Sequence, residues 1–465
     1  MTKLENNLRW KSLAHATTQW SEHLRGQPVT PSLSRSEIVE RLRRYDFAAP
    51  VALDTVAHDV EWLLARGAVH TGHPRYFGLF NPTVRPAGVV GDALAAIYNP
   101  QVGAWWHAPA ANEIEQAALG WFVRRAGLDP ADTTAMFTGG GSEANHMAVL
   151  VALSRRFPAF GEHGLRGLAG GPVFYASDQA HDSLVKIAHA TGLGRGALRR
   201  VRSDARQRLD VADLRLQIAR DRAAGDAPFL VVATAGTTST GAIDPLDAIA
   251  EVCAAEALSL HVDAAWGGAG LLSDALAHHL AGIARADSIT WDAHKTLPVP
   301  MGAGMFIARG PAATEAAFHI HTAYVPDGEP GTRDLYQHSL QFSRRCIGLK
   351  VFLTIAELGA AGVAALVDHQ VAMAARLRDE LVAAGWVIEN DSPLPIVCFS
   401  HPALAPTQVP ALVRAIVARG EVWLSEIRRS TDDHALRACI TNVDTTVGDV
   451  RALVAALDHA RRALT

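Results

Sequence analysis

An α/β fold, with a mostly parallel sheet flanked by helices, is what this sequence predicts, and three observations carry the expectation. Between about residues 85 and 310, short apolar runs rich in Val, Ile and Thr alternate with amphipathic helical stretches. Strands that alternate with helices pair in parallel and are covered on both faces. Three of the strand-like runs end in polar or glycine-rich segments, and a fourth ends in the segment carrying Lys295. Ligands of such sheets gather beyond the carboxyl ends of the strands. The 465 residues are 49% hydrophobic and 19% charged, enough apolar material for a large core.

The elements follow in order. Residues 1–84 read as a helical arm, with apolar positions at helical spacing over 36–42 and 56–64 and interruptions at Pro28, Pro31 and Pro50. The arm is expected to pack on a partner subunit. Residues 85–350 form the large domain. Its strands fall at 134–137, 229–234, 258–262 and 288–291, and a helix spans 143–156. The segment 296–300, with Pro298 and Pro300, ends regular structure after Lys295. Residues 351–465 form a smaller α/β domain, with helical spacing over 365–381 and short strands at 395–399 and 437–440.

Bulk properties exclude several classes. A formal net charge of -4 with no concentrated basic face argues against nucleic acid as a partner. Cys253, Cys346, Cys398 and Cys439 lie far apart with no CxxC pair, so neither a zinc site nor a disulfide framework is expected, and no metal. A reducing cytoplasm is the natural compartment. The first residues lack the apolar core of a signal peptide, and no run approaches the roughly 20 apolar residues of a membrane span.

Four segments carry chemistry. Thr138-Gly139-Gly140-Gly141-Ser142 joins a strand to a helix. Its glycines let backbone amides approach a phosphate, and the helix N-terminus adds partial positive charge. A plain capped turn is the other reading. The segment is neither G-x-G-x-x-G nor a Walker loop, which disfavours a nucleotide and leaves a small phosphorylated cofactor open. Asp263 ends an apolar strand, where a carboxylate is costly unless it meets a cation or donors. A protonated pyridine nitrogen is one such cation, and Ala264 and Ala265 leave room for a flat ring. Capping of the next turn, or a metal shared with His261, are the alternatives. Lys295 is a nucleophile toward an aldehyde only where its surroundings favour the neutral amine; alone it is indistinguishable from surface charge. His294 can donate to a phosphate, and His181 can stack on an aromatic ring. The specificity lies in their combination and order.

In that order the sequence resembles the group II pyridoxal-phosphate decarboxylases, which include aromatic amino-acid, glutamate and diaminobutyrate decarboxylases. The resemblance runs through His73-Pro74-Arg75-Tyr76-Phe77, 108–115, 138–145, 180–183, 233–238, 241–245, 261–268, Asp292-Ala293-His294-Lys295 and Ser343-Arg344-Arg345. It implies fold type I, pyridoxal 5'-phosphate as cofactor, and a homodimer. It also implies decarboxylation of an L-amino acid to the amine and CO2 through a Schiff base on Lys295. Asp263 would keep the pyridine nitrogen protonated, and His181 would stack on the ring near the substrate carboxylate. Gly140, Gly141, Ser142 and His294 would hold the phosphate. Thr234 would line the ring's hydroxyl side, and Ala265 would border the ring.

The sequence also departs from the family. Aromatic decarboxylases place a loop Tyr ahead of the Arg-Arg pair; counting back from Arg344 gives Leu335 here, with Tyr336 one residue later. Tyr336 is the expected proton donor after a one-residue slip. Leu79 and Gly103 stand where aromatic side chains are found in aromatic decarboxylases, and Leu79, Phe80, Trp105 and His107 are the expected substrate pocket. The alternatives are an oxidative outcome giving an aldehyde, a carbon–carbon lyase or aminotransferase of the same fold, and a pyridoxal-binding protein without catalysis.

Overall fold

The computed structural model describes residues 3–168, 170–323, 326, 329–429 and 431–464. The chain divides into two compact units. The first takes the residues up to Thr17, Val84–Val371 and Asn390–Ile396; the second takes Thr18–Thr83, Ala372–Glu389 and the residues from Val397 onward. The sequence-based boundaries at 84/85 and 350/351 compare with junctions here at 83/84 and 371/372.

Seven strands make one sheet in the first unit. Their spatial order is Thr133–Thr138, Gly304–Arg309, Ser288–Asp292, Ser259–Asp263, Ala227–Thr234, Pro172–Ser177 and Leu198–Val201. The pairings from Ser288–Asp292 out to Leu198–Val201 are parallel, and Gly304–Arg309 runs antiparallel to both its neighbours. The expected mostly parallel sheet is therefore present. Its central strands read as continuous apolar runs because successive side chains enter different cores. In Ala227–Thr234, Val231 and Ala233 join a cluster with Leu119, Phe122, Val262 and Ile289. Leu230 and Val232 join one with Val149, Leu153, Phe174 and Leu184.

Three strands of this sheet were not anticipated: Pro172–Ser177, Leu198–Val201 and Gly304–Arg309. The last is instructive. The strand Ser288–Asp292 already ends ahead of Lys295, and beyond the proline-rich segment the chain doubles back to pair Ser288 with Ala308 and Asp292 with Gly304.

Register decides where the functional side chains stand. Thr234 lies opposite Asp263, Asp263 opposite Thr290, and Thr138 opposite Gly304. The ends of adjacent strands, about 4.8 Å apart, thus form one row. Helix Gly141–Arg156 starts directly from the glycine turn and buries Ala144, Asn145, Ala148 and Ala152.

The second unit holds a five-stranded sheet in the order Tyr76–Phe77, Trp423–Arg428, His434–Cys439, Ile396–Ser400 and Val387–Ile388. Helices Val409–Ala418 and Val447–Leu464 bury Leu412, Ile416, Leu453 and Leu457 in its core. The arm contributes Arg35–Leu42 and Leu53–Gly67. The first opens on a capping box in which Ser34 accepts from Glu37 N and the Glu37 carboxylate accepts from Ser34 N.

Helix Gly348–Ala383 is long and apolar enough by composition to cross a membrane, but Lys350, Glu357 and Asp368 interrupt its apolar run. Several of its apolar residues belong to cores: Val351, Val363 and Val367 in the first unit, and Leu377 and Leu381 in the second. It also breaks at Gly359, where φ is +63°.

Candidate active site

A cavity of about 430 Å³ opens at the carboxyl edge of the seven-stranded sheet. Its wall includes Gly140, Gly141, Ser142, His181, Thr234, Asp263, Ala265, His294 and Lys295, every cofactor residue expected from the sequence. It also includes Asn145, Thr238, Trp266, Asp292 and Met301, which sequence reasoning assigned no role.

Asp263 is buried at the end of its strand and held from two sides. Asn145 Nδ2 donates to Oδ2 at 2.7 Å, and the Ala265 amide donates to Oδ1 at 3.1 Å. Asn145 is itself fixed, because its Oδ1 lies 2.7 Å from Thr290 Oγ1 and 3.0 Å from His261 Nε2. His261 Nδ1 lies 2.8 Å from Ser288 Oγ. Burial, first of all, pushes the His261 pKa down to about 4, so the ring is neutral. It donates from Nε2 to Asn145 and accepts from Ser288. This chain of donors fixes the Asp263 carboxylate in place on the cavity wall.

The opposite end of the cavity is built for an anion. Gly140, Gly141 and Ser142 line it where helix Gly141–Arg156 begins, and a helix N-terminus offers backbone amides and partial positive charge to an anion. The Gly139 amide donates to Glu143 Oε2 at 2.7 Å, which pins the turn. His294 is buried, and burial is the first cause lowering its pKa. The Ala303 amide donates to His294 Nδ1 at 3.1 Å, so the neutral ring carries its proton on Nε2. The Thr234 amide donates to Asp244 Oδ2 at 2.7 Å, while Thr234 Oγ1 is buried with no hydrogen-bond partner among the described residues.

Lys295 ends a short helical turn, Ala293–Lys295, that follows the strand Ser288–Asp292. The turn brings Lys295 Nζ back to 2.9 Å from Asp292 Oδ2. His181 is exposed at the rim, and the Ser183 amide donates to its Nδ1 at 3.2 Å.

Other expected residues stand elsewhere. Tyr336 is buried against Phe342, with ring centroids 4.8 Å apart, and Gln337 Nε2 donates to its hydroxyl at 2.9 Å. It lines a separate cavity of about 300 Å³ with Glu315, Arg333 and His338. Leu335 is a core residue packed with Met136 and Met147. Trp105 donates from Nε1 to Glu113 at 2.7 Å, and His107 is exposed. Leu79 and Phe80 belong to the second unit, where Leu79 is exposed and the Arg437 guanidinium lies 5.1 Å from the Phe80 ring centre. Arg75 pairs with Asp449 at 3.0 Å.

A family model described as the pyridoxal-dependent decarboxylase conserved domain matches residues 41–401. The chain belongs to that family. The resemblance read from the sequence is thereby borne out, with pyridoxal phosphate as cofactor and amino-acid decarboxylation as reaction class. This decarboxylase is 29% identical over 441 residues to the aromatic-L-amino-acid decarboxylase of Bacillus atrophaeus, covering 92% of this chain and 89% of that one. It is 33% identical over 374 residues to the cysteine sulfinic acid decarboxylase of Mus musculus, covering 79% and 71%. Among solved structures it is similar to mouse CSAD in apo form, with a TM-score of 0.89 and 26% identity over 98% of this chain and 99% of that one.

The cavity of this decarboxylase fits the cofactor. The buried Thr234 hydroxyl can bond the ring's hydroxyl, and the Asp263 carboxylate suits a ring nitrogen. A Cβ on Gly141 would come within 3.1 Å of Ala265 Cβ, so this side of the cavity has no room for a side chain at Gly141.

Proposed function

We propose that this decarboxylase binds pyridoxal phosphate through Lys295 and removes the carboxylate of an L-amino acid, releasing the amine and CO2. The observation that carries this reading is the convergence of the glycine turn, His294, Asp263, Thr234, His181 and Lys295 on one 430 Å³ cavity. Bound pyridoxal phosphate supplies an electron sink for the pair left behind when CO2 departs.

The chain's own residues do the rest. The amides of Gly141 and Ser142 and the Nε2 proton of His294 hold the phosphate, and Thr234 Oγ1 orients the ring hydroxyl. Asp263, positioned by Asn145 and the Ala265 amide, holds a proton on the ring nitrogen. A Nδ1 that accepts from Ser183 leaves the His181 Nε2 proton free to face the ring and the substrate carboxylate. Tyr336 is proposed as the group that protonates the substrate carbon. Its burial against Phe342 means that its loop must move, or be presented by a second subunit, before it acts. Replacing Tyr336 with Phe tests this, since the amine yield should then fall while aldehyde rises. Leu79, Phe80, Trp105 and His107 are the proposed substrate-contacting set.

A homodimer is part of the proposal. Phe47 is 93% and Leu53 80% exposed on the arm, apolar side chains that a second copy would cover. A cytoplasmic location is supported by four buried cysteines that are all free thiols.

The test of function is a product profile across the amino acids. CO2 and amine in equal amounts support the proposal; aldehyde, ammonia and peroxide would establish the oxidative outcome instead.

A further inference from the structure

Asp292 has a place in the cavity that the roles above do not use. Its side chain is 1% exposed, and its Oδ2 pairs with Lys295 Nζ at 2.9 Å. Its Oδ1 is buried with no hydrogen-bond partner among the described residues. Both oxygens abut the phosphate end of the site. A Cβ on Gly141 would lie 3.0 Å from Oδ2, and one on Gly304 would lie 2.7 Å from Oδ1. The other basic group within reach is His294, whose Nε2 is 3.9 Å from Oδ2. Burial lowers the His294 pKa, and Lys295 Nζ stands closer to Asp292 Oδ2, at 2.9 Å. Glu143, His181 and Asp263 are the further titratable groups on the cavity wall.

Two requirements conflict in this arrangement. A phosphate ester brings about two negative charges at neutral pH, and a buried carboxylate beside it is driven toward its protonated form. Lys295 must lose a proton before its amine can attack an aldehyde. A single proton transfer satisfies both. We propose that Asp292 takes the Lys295 proton when the cofactor's phosphate enters the cavity. The ammonium N–H bond breaks and an O–H bond forms on Asp292. The amine is released as a nucleophile, and the new carboxyl turns from a repelling anion into a hydrogen-bond donor beside the phosphate. The pair passes from one positive and one negative charge to two neutral groups, so no outside acid or base is needed. Asp292 thus couples phosphate recognition to activation of Lys295.

The inference rests on pyridoxal phosphate being held by Lys295, and the experiment separates the two claims. Full-length protein is freed of cofactor and reloaded with pyridoxal phosphate, with the visible absorbance of the bound cofactor and the infrared difference spectrum recorded together. The expected result is a new carbonyl stretch of a protonated carboxyl that appears with the visible band. In Asp292→Asn the visible band should form more slowly, because solvent must take the Lys295 proton, and the carboxyl stretch should be lost. Asp292→Glu should keep the stretch but shift it, which covers the case in which the Asn variant does not fold. Visible absorbance without a carboxyl stretch in the unaltered protein overturns the Asp292 proposal and leaves cofactor binding intact. A stretch that persists in Asp292→Asn also overturns it. Failure of the visible band to form in the unaltered protein overturns the cofactor reading, and the Asp292 proposal with it.

Discussion

Asn145 Nδ2 donates to Asp263 Oδ2 at 2.7 Å while Asn145 Oδ1 accepts from Thr290 Oγ1 at 2.7 Å. One amide on the first turns of helix Gly141–Arg156 therefore ties together the ends of two neighbouring strands, and it does so at the carboxylate proposed to meet the ring nitrogen. Replacing Asn145 with Ala leaves Asp263 short of a donor and strands His261 and Thr290. Loss of a buried hydrogen bond to a charged group costs about 1.5–3 kcal/mol, or roughly 10- to 100-fold in equilibrium terms. Cofactor titration followed by absorbance should show a dissociation constant weakened by that factor. An unchanged constant would remove Asn145 from the positioning role.

The same network makes stability depend on pH. His261 has its pKa depressed from 6.5 to about 4 in the fold. Between those values the unfolded chain binds a proton that the folded chain does not. The His261 contribution is thus fully present above pH 6.5 and is lost as pH falls toward 4. Asp244 works in the opposite sense, since burial raises its pKa from 3.8 to about 6; its contribution is present at low pH and is lost as pH rises through that window. His261→Gln removes the first term and leaves the second. The difference in unfolding free energy between the two proteins should grow from pH 4 to 6.5 by on the order of 3 kcal/mol and then level off. Denaturant melts at several pH values measure it, and a difference independent of pH would contradict the argument.

Gly304 closes the site from the antiparallel strand. A Cβ there would stand 2.6 Å from Gly140 Cα and 2.7 Å from Asp292 Oδ1. Backbone cannot yield as a flexible side chain would, so Gly304→Ala should cost about 1–3 kcal/mol and displace the phosphate turn. Thermal unfolding should report the stability loss, and cofactor titration a weaker affinity. A variant with unaltered affinity would show that the turn has slack the structure does not display.

Much of this site was legible in the sequence because the chemistry restricts residue types at strand ends. Asp263 and Lys295 end apolar runs, where a charge needs a reason, and the glycine turn between strand and helix is hard to explain without an anion or a sharp turn. Asn145 and Asp292 were not assigned roles. Asn145 acts through a helical turn that faces the sheet, and its signal is only a polar residue on a face that proves to be buried. Asp292 stands three residues before Lys295, a spacing that means nothing until the chain after it folds into a tight helical turn and returns the amine to the carboxylate. The strand Gly304–Arg309 was missed because the prolines before it read as an ending, when the chain instead reverses. The substrate pocket could not be read because its expected residues fall in both compact units.

The arm gives a prediction about assembly. Phe47 and Leu53 are exposed while Arg35–Leu42 and Leu53–Gly67 are well-formed helices, so polar replacements should leave the fold intact. Phe47→Ser with Leu53→Ser should shift the protein from dimer toward monomer in sedimentation velocity with little change in melting of the monomer. A sedimentation profile identical to that of the unaltered protein would place the dimer contact elsewhere.

The central claim is that Lys295 binds the cofactor. The most direct measurement is the visible spectrum of the purified Lys295→Ala protein after incubation with pyridoxal phosphate, followed by gel filtration and borohydride treatment. The unaltered protein should retain the coloured group, and borohydride should fix it to the peptide containing Lys295. In the Ala variant the colour should be lost on filtration, together with all release of CO2. Retained colour and continued turnover in the Ala variant would contradict the account.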